Sequence, residues 1–476
     1  MNPRSVFKIL TLLLTIQVCI ITVSCKSRSA GDDLLVLTEV PVAMRQTVHP
    51  SGIHSRYLPE ARISSVKPGK QDSHRILTGD FYSACWPDIS YNGKFMLFAA
   101  QEQKDQPWQI YEMNLKSHKY RKVISVNDNC TDPAYLPGDR LVFSKLTLND
   151  TVKSAHCLYT CNLDGSGLRQ ITFSPCDNYA TTVLKDGRIL TVNTQLLPDH
   201  GNSILMTMRP DGTKADMFYM NKENGSIPNN PRETDDGRII FIEYGEADSH
   251  AGQVVSISYN QPLHSRIELT QGTPVCYSVT PVGSDKYLAT GYKPGEERVS
   301  LYEFDPANKT AGKLVFTDPE YDIYEAVPAM PIERPKNLPS EVDLLVKSGL
   351  ILCQDVNLAD IETVKNNNPI VKATMIEVLG VDSTYGVVPL EADGSFQLKV
   401  LADLPFRIRS FDENGRVVNG PSAWLWLRPN ERRGCVGCHE DPELVPFNRI
   451  PLAVKIPPVI IPVSVTEIKE KIVELE

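Results

Sequence analysis

The sequence predicts an all-β chain, in which a six-bladed β-propeller is followed by a small β-sandwich-like domain. Three observations carry that prediction. An apolar pair followed by Thr recurs at Arg75-Ile-Leu-Thr78, Arg169-Gln-Ile-Thr172, Ile267-Glu-Leu-Thr270 and Leu314-Val-Phe-Thr317, at spacings of about 47 residues or twice that. Each period holds Asn-Gly or Asp-Gly hairpin turns, as in Tyr91-Asn-Gly-Lys-Phe-Met-Leu-Phe98, Lys185-Asp-Gly-Arg-Ile-Leu190 and Asp236-Gly-Arg-Ile-Ile-Phe241. Such turns supply the positive φ that a tight hairpin needs. The 35 Pro and 28 Gly also suit a turn-rich β protein better than a helical bundle.

Composition bounds the function. Of the 476 residues, 41% are apolar and 22% charged, enough to bury a core over two or three domains. The net charge of −9 carries no long basic run, which argues against nucleic acid as a partner.

At the amino terminus, Arg4 and Lys8 precede an apolar run from Ile9 to Val23, too short to span a bilayer, and Thr22-Val23-Ser24-Cys25 follows. This resembles a bacterial lipoprotein signal over residues 1–25, with Cys25 the acylated first residue of the mature chain. The expectation is an extracytoplasmic, membrane-anchored lipoprotein in the periplasm or on the cell surface, tethered by acyl chains without crossing the membrane. An ordinary secretory signal with a chance cysteine is the alternative. Export permits disulfides. Setting aside Cys19, Cys25 and the pair Cys435/Cys438 leaves seven cysteines, so at least one stays unbridged or binds something. Cys157 and Cys161 cannot bridge each other on one strand, where they lie about 13 Å apart.

The propeller is expected over residues 32–332. Five full blades fit between Phe81 and Asp318, and a sixth mixes three strands from residues 34–79 with one from Tyr324 to Ile332, leaving no free edge. The blade pattern, notably Trp86-Pro-Asp-Ile-Ser-Tyr-Asn-Gly93 and Tyr159-Thr-Cys-Asn-Leu-Asp-Gly165, resembles the TolB-like propeller family, which specifies fold more than function. His200 and His250 each lie thirteen residues after a turn glycine, Gly187 and Gly237. Both should sit in loops between second and third strands, on the face where Cys85, Cys130 and Cys276 begin inner strands. Imidazole and thiol ligands could gather at that mouth, although loop histidines and buried cysteines commonly have no such role.

Pro335 and Pro339 mark a linker over residues 333–342, and residues 343–455 form the second domain. Its strands are expected at Leu344 to Cys353, Val371 to Val378, Ser395 to Leu401 and Pro405 to Phe411, with turns at Asp393-Gly394 and Asn414-Gly415. Residues 456–476 read as a polar tail. No Gly-x-Ser-x-Gly elbow, Gly-rich phosphate loop or assignable carboxylate pair is present.

Cys435-Val-Gly-Cys438-His439 is the c-type haem attachment pattern. Two thiols at this spacing reach the two porphyrin vinyl groups, and the following His lies beneath the iron. A local disulfide, or half of a zinc site, is the competing reading. No His or Met follows His439, so the sixth iron position is open or filled from the propeller by His200, His250 or Cys276. Trp424, Trp426 and Phe447 are apolar candidates for packing against the ring.

Asp393-Gly-Ser-Phe396, Asp412-Glu-Asn-Gly415 and Trp426-Leu-Arg-Pro-Asn-Glu-Arg-Arg-Gly-Cys-Val-Gly-Cys-His439-Glu440 together resemble the middle domain of the hydrazine synthase alpha family, whose members also place a propeller before it. The resemblance implies a haem-bearing domain tied to nitrogen–nitrogen bond formation, with a tyrosine four residues after the motif histidine on iron, and the histidine turned toward zinc. Cys435, Cys438 and His439 match, whereas the tyrosine position is Glu443. The family's multi-haem carboxy-terminal domain has no counterpart in this sequence, so hydrazine synthesis itself is not expected. The expectation is a lipoprotein with haem c, or zinc, held at Cys435, Cys438 and His439 between propeller and second domain. It would act in redox or small-molecule haem chemistry, as a haem-dependent oxidoreductase with a redox partner protein. The alternative is a non-catalytic propeller scaffold in which a structural zinc or a disulfide occupies the motif.

Overall fold

The computed structural model describes residues 34–47, 51–195, 203–221, 226–245, 252–270, 275–283, 286–293, 295–358, 371–437, 443 and 449–461. The signal segment, Cys25, His200, His250, Cys438, His439 and Phe447 lie outside them. Within them the protein is all-β.

Six four-stranded antiparallel units form a ring that resembles a propeller. Their innermost strands are Tyr321–Pro328, Ser83–Ile89, Cys130–Leu136, Asn178–Val183, Ile227–Glu233 and Val275–Gly283. Each packs on the next, and the sixth packs on the first, closing the ring. The first unit is shared between the two ends of the ring: Tyr321–Pro328 pairs with Leu35–Pro41, followed by Arg62–Lys67 and Lys70–Ile76. Wide apolar clusters fill the spaces between units, as where Leu190, Val192 and Leu205 meet Ile239, Phe241 and Val255.

The Asx-Gly turns all lie at one end of the strands, and the linker runs along them. The amide of Ile332 donates to the Tyr91 carbonyl and that of Lys336 to the Lys185 carbonyl, both at 3.0 Å. Arg209 donates to the Pro339 carbonyl at 2.5 Å. Glycine is required at this crossing for two reasons. Gly187 has φ +90°, and a Cβ on it would stand 2.1 Å from the Lys336 carbonyl oxygen.

The second domain packs two four-stranded sheets face to face. One is ordered Arg432–Cys435, Ser348–Cys353, Phe396–Leu401, Val459–Ile461; the other Thr384–Pro389, Met375–Leu379, Arg407–Phe411, Val417–Asn419. Ile351, Ile376, Val378, Leu398, Phe406 and Leu427 form their common core. The boundary expected at residue 455 moves outward, because Val459–Ile461 pairs in parallel with Phe396–Leu401. Its apolar Val-Ile-Ile run covers a sheet edge and is not part of a polar tail. Arg432–Cys435, also parallel to its neighbour, was read in sequence only as the approach to the motif.

The domain lies along the rim of the third and fourth units. Trp426 is 1% exposed and sits among Ala134, Leu158, Ile189, Met206 and Met208 of the ring. It therefore anchors one domain on the other and is not free to wall a cofactor. Trp424 lies nearby, its carbonyl accepting from Gln195 at 2.8 Å and its ring covered by Arg407.

Candidate functional site at the ring–sandwich rim

The first half of the motif is delivered by an edge strand. Leu350 and Ile351 pair with Arg432 and Arg433, and Cys353 pairs with Cys435. The pairing continues into the motif: the Gln354 amide donates to the Cys435 carbonyl at 2.9 Å and the Asp355 amide to that of Val436 at 3.1 Å. Gly437 fits tightly here, since a Cβ would stand 2.4 Å from the Leu358 carbonyl oxygen. Cys435 is half-buried against the sandwich core.

Glu431 and Arg428 hold this strand to the ring. The buried Glu431 carboxylate accepts from the Lys214 amide at 2.8 Å, the Arg428 amide at 2.8 Å and the Arg433 guanidinium at 2.8 Å. Arg428 donates to the Asp211 carbonyl at 2.9 Å and to Asp403 at 2.6 Å, and stacks over Phe173. Burial lowers the Arg428 pKa and raises that of Asp403, so the pair's attraction is offset by desolvation and fixes position more than it adds stability. On the far side of the motif, Glu443 accepts from the Leu263 amide of the fifth unit at 2.5 Å.

Between these anchors opens a cleft of about 420 Å³, lined by Arg188, Arg209, Lys214, Asp216, Phe218 and Glu443 among others. Arg188 is held by Asp186 at 2.7 Å, and Lys214 by Glu341 at 3.1 Å. Burial pushes the Asp216 carboxyl up, against the opposing pull of Arg433. The cleft thus joins fixed cations with a small apolar wall.

This cleft lies at the turn end of the strands. Connections between second and third strands, where the sequence places His200 and His250, leave the opposite end. Cys276 is 1% exposed in an apolar cluster with Ile240, Tyr244, Val254 and Phe304, and burial pushes its thiol up to about 12. Burial does the same to Cys130, Cys157, Cys161 and Cys176. None of these four, nor Cys85, is in a disulfide. Cys157 and Cys161 share the strand Lys153–Asn162. Two described histidines that the sequence reading passed over, His54 and His156, lie close to Asp177. His156 meets the Tyr57 hydroxyl at 2.7 Å through Nε2 and Asp177 at 3.0 Å through Nδ1, so both ring nitrogens are engaged within the fold.

The largest feature missed in sequence is at the ring's axis. Trp86, Asp132, Ala180 and Asn230 occupy the same bulge in four successive inner strands, with φ of 56°, 50°, 50° and 48°. The bulge re-aims side chains inward, and Arg56 receives them. Its guanidinium donates to Asp132 at 2.8 Å and Asn230 at 2.9 Å, and lies 3.5 Å from the Trp86 ring centroid. Next to it Arg232 donates to Glu325 at 2.8 Å. A signal existed: Trp86-Pro87, Asp132-Pro133 and Asn230-Pro231 recur in phase with the repeat.

Fold and site together define a class: a propeller-like ring with a sandwich docked on its rim and a cleft where they meet. Residues 354–440 match the family model described as the hydrazine synthase alpha subunit middle domain. Hydrazine synthase subunit alpha of Kuenenia stuttgartiensis is 21% identical, over 81% of this chain and 63% of that relative's length. The solved Kuenenia stuttgartiensis hydrazine synthase superposes with a TM-score of 0.77 at 18% identity, covering 89% of this chain and 71% of that one. TolB from Acinetobacter baumannii is a weaker structural neighbour, at a TM-score of 0.47 and 13% identity over 63% of this chain and 68% of its own. The chain is thus similar in fold to hydrazine synthase, matches its alpha-subunit middle domain over residues 354–440, and spans about 63% of the curated relative it matches.

Proposed function

We propose that this chain is an exported, acyl-anchored lipoprotein whose six-bladed propeller and sandwich together hold a c-type haem for redox or small-molecule chemistry outside the cytoplasm. One observation carries the reading: the edge strand Arg432–Cys435 holds the first motif cysteine half-buried, and Glu443, shortly after the motif, lines the cleft at the ring's rim. The residues present suit a haem. Cys435 and Cys438 would be the thioether anchors and His439 a ligand to iron, or to zinc if the relative's arrangement persists. Arg188, Arg209 and Lys214 bring positive charge for two propionates, and Met217 and Phe218 offer an apolar wall. A bound haem supplies electron transfer or a ligand-binding iron.

The chain's own contribution is positional. Strand pairing and the seat of Gly437 fix Cys435, while the Leu263 amide holds Glu443, four residues after the motif histidine. Glu443 in place of tyrosine argues against hydrazine synthesis as this chain's own reaction. Membrane attachment would run through Cys25, and a small redox protein is the expected partner. His200 and His250 remain ligand candidates by sequence alone, and the burial of Cys276 argues against its use.

Haem staining after denaturing electrophoresis, on protein made with a cytochrome maturation system, tests the reading. Wild type should stain and Cys438→Ala should lose the stain. A colourless wild type containing stoichiometric zinc would instead favour the scaffold reading, to which Cys353, a further sulfur beside Cys435, lends support.

A further inference from the structure

Cys353 has no part in haem attachment, yet it is the residue directly opposite Cys435. The two are register partners on parallel strands, so their side chains leave the same face of the sheet. Neighbouring strands lie about 4.7–4.9 Å apart, within the roughly 4.4–6.8 Å between Cα atoms that a disulfide spans. Both side chains also pack on one apolar cluster: Cys353 is 2% exposed inside it, and Cys435 covers its margin. The other buried cysteines lie in the ring, in clusters of their own.

We propose that Cys353 and Cys435 form a redox pair, and that their disulfide is a reversible modification withdrawing Cys435 from cofactor attachment. The half-buried Cys435 thiolate attacks the disulfide of an exported thiol–disulfide exchange protein, giving a mixed disulfide and releasing one thiolate of that protein. The Cys353 thiolate then attacks the Cys435 sulfur and expels the second. One S–S bond forms here and one breaks in the oxidant. Two electrons pass to the oxidant, whose two sulfurs take up the two protons that Cys353 and Cys435 give up. The closed pair also staples the edge strand to its neighbour, in the geometry that pairing already sets. Formation of the bond is independent of haem. Its consequence, a motif with only Cys438 available to a vinyl group, rests on the haem reading.

The test uses the full chain exported without cytochrome maturation, equilibrated with excess glutathione disulfide, trapped with N-ethylmaleimide, digested without reduction and mapped by mass spectrometry. A linked peptide joining Cys353 to Cys435 is expected. Reductant should abolish it, and so should Cys353→Ser, in which Cys435 becomes alkylated or joined to Cys438. A wild-type map in which Cys353 is alkylated, and Cys435 is alkylated or joined to Cys438, would overturn the pair. That map needs no variant to fold. Protein that forms the link, yet after its reduction never acquires haem when maturation is supplied, would support the pair and sink only the haem reading. Haem-loaded protein whose Cys353 never left the alkylated pool before attachment would overturn the pair and leave the haem reading intact.

Discussion

At the ring's axis, Arg56 is 2% exposed, and the groups around its guanidinium come from the second, third and fifth units of the ring. At the rim, the cleft is open, and its cations are held by partners at its edge. Both places are dense in charge. The axis spends that charge on itself, with Asp132 taking two bonds from Arg56 and one from the Ala180 amide. A propeller channel is a common place for a ligand, and here a side chain of the same protein fills it. The rim is where two domains meet without closing, which is the usual setting for a binding site.

The largest effect that would break this comparison comes from removing the plug. Arg56→Ala leaves the buried Asp132 without its cation, which costs about 3–5 kcal/mol in comparable buried pairs. Denaturant unfolding should show that loss, and Arg56→Ala combined with Asp132→Asn should lose less than the two single changes added together. An Arg56→Ala midpoint equal to wild type would mean that the axis is not a structural plug.

Next in size is Trp426→Ala, expected to cost about 3–5 kcal/mol through the cavity left between the third and fourth units. Its separate signature is local: the sandwich should loosen from the rim, and proteolysis within residues 333–342 should accelerate while the ring stays resistant. If cleavage there is unchanged, the cleft does not depend on this anchor, and the linker's hydrogen bonds along the turns hold the domains alone.

These two residues also measure what the sequence disclosed. The four-stranded repeat was legible because Asx-Gly turns need a positive φ that few other residues supply, and each turn recurs in phase. Sharing of the first sheet was legible by counting strands, three at one end of the ring and one at the other. Arg56 was not, because a lone arginine before the repeat has no pattern; only the fold brings Asp132 and Asn230, distant in sequence, onto its guanidinium. Trp426 was legible as apolar but not as to which surface it covers. The motif could be read from spacing, while the strand that carries its first cysteine could not. Where the cleft opens is decided by where the linker crosses Gly187 and where Glu431 meets Lys214. Val459–Ile461 was missed because three residues beside prolines carry too little periodicity to read as a strand.

The smallest effect is a pH dependence confined to the axis. Two guanidinium groups, Arg56 and Arg232, face three carboxylates there, Asp132, Glu325 and Asp88. Asp88 accepts from the Tyr135 amide at 2.8 Å and lies near Tyr91 and Arg232. Burial pushes its carboxyl up to about 6, with the Tyr135 hydrogen bond and Arg232 pulling the other way. Burial also raises Glu325, whose Oε2 has no hydrogen-bond partner among the described residues. In the unfolded chain an aspartate titrates near about 3.9. The native state therefore binds more protons than the unfolded one between that value and about 6, so Asp88 contributes a stability that falls as pH rises through this window. Asp88→Asn keeps an acceptor for Tyr135 and removes the proton, so its urea midpoint should lose this fall and exceed that of wild type most at the upper end of the window. An unchanged slope would assign the proton to Glu325. A slope of opposite sign would mean that Arg232 outweighs burial at Asp88.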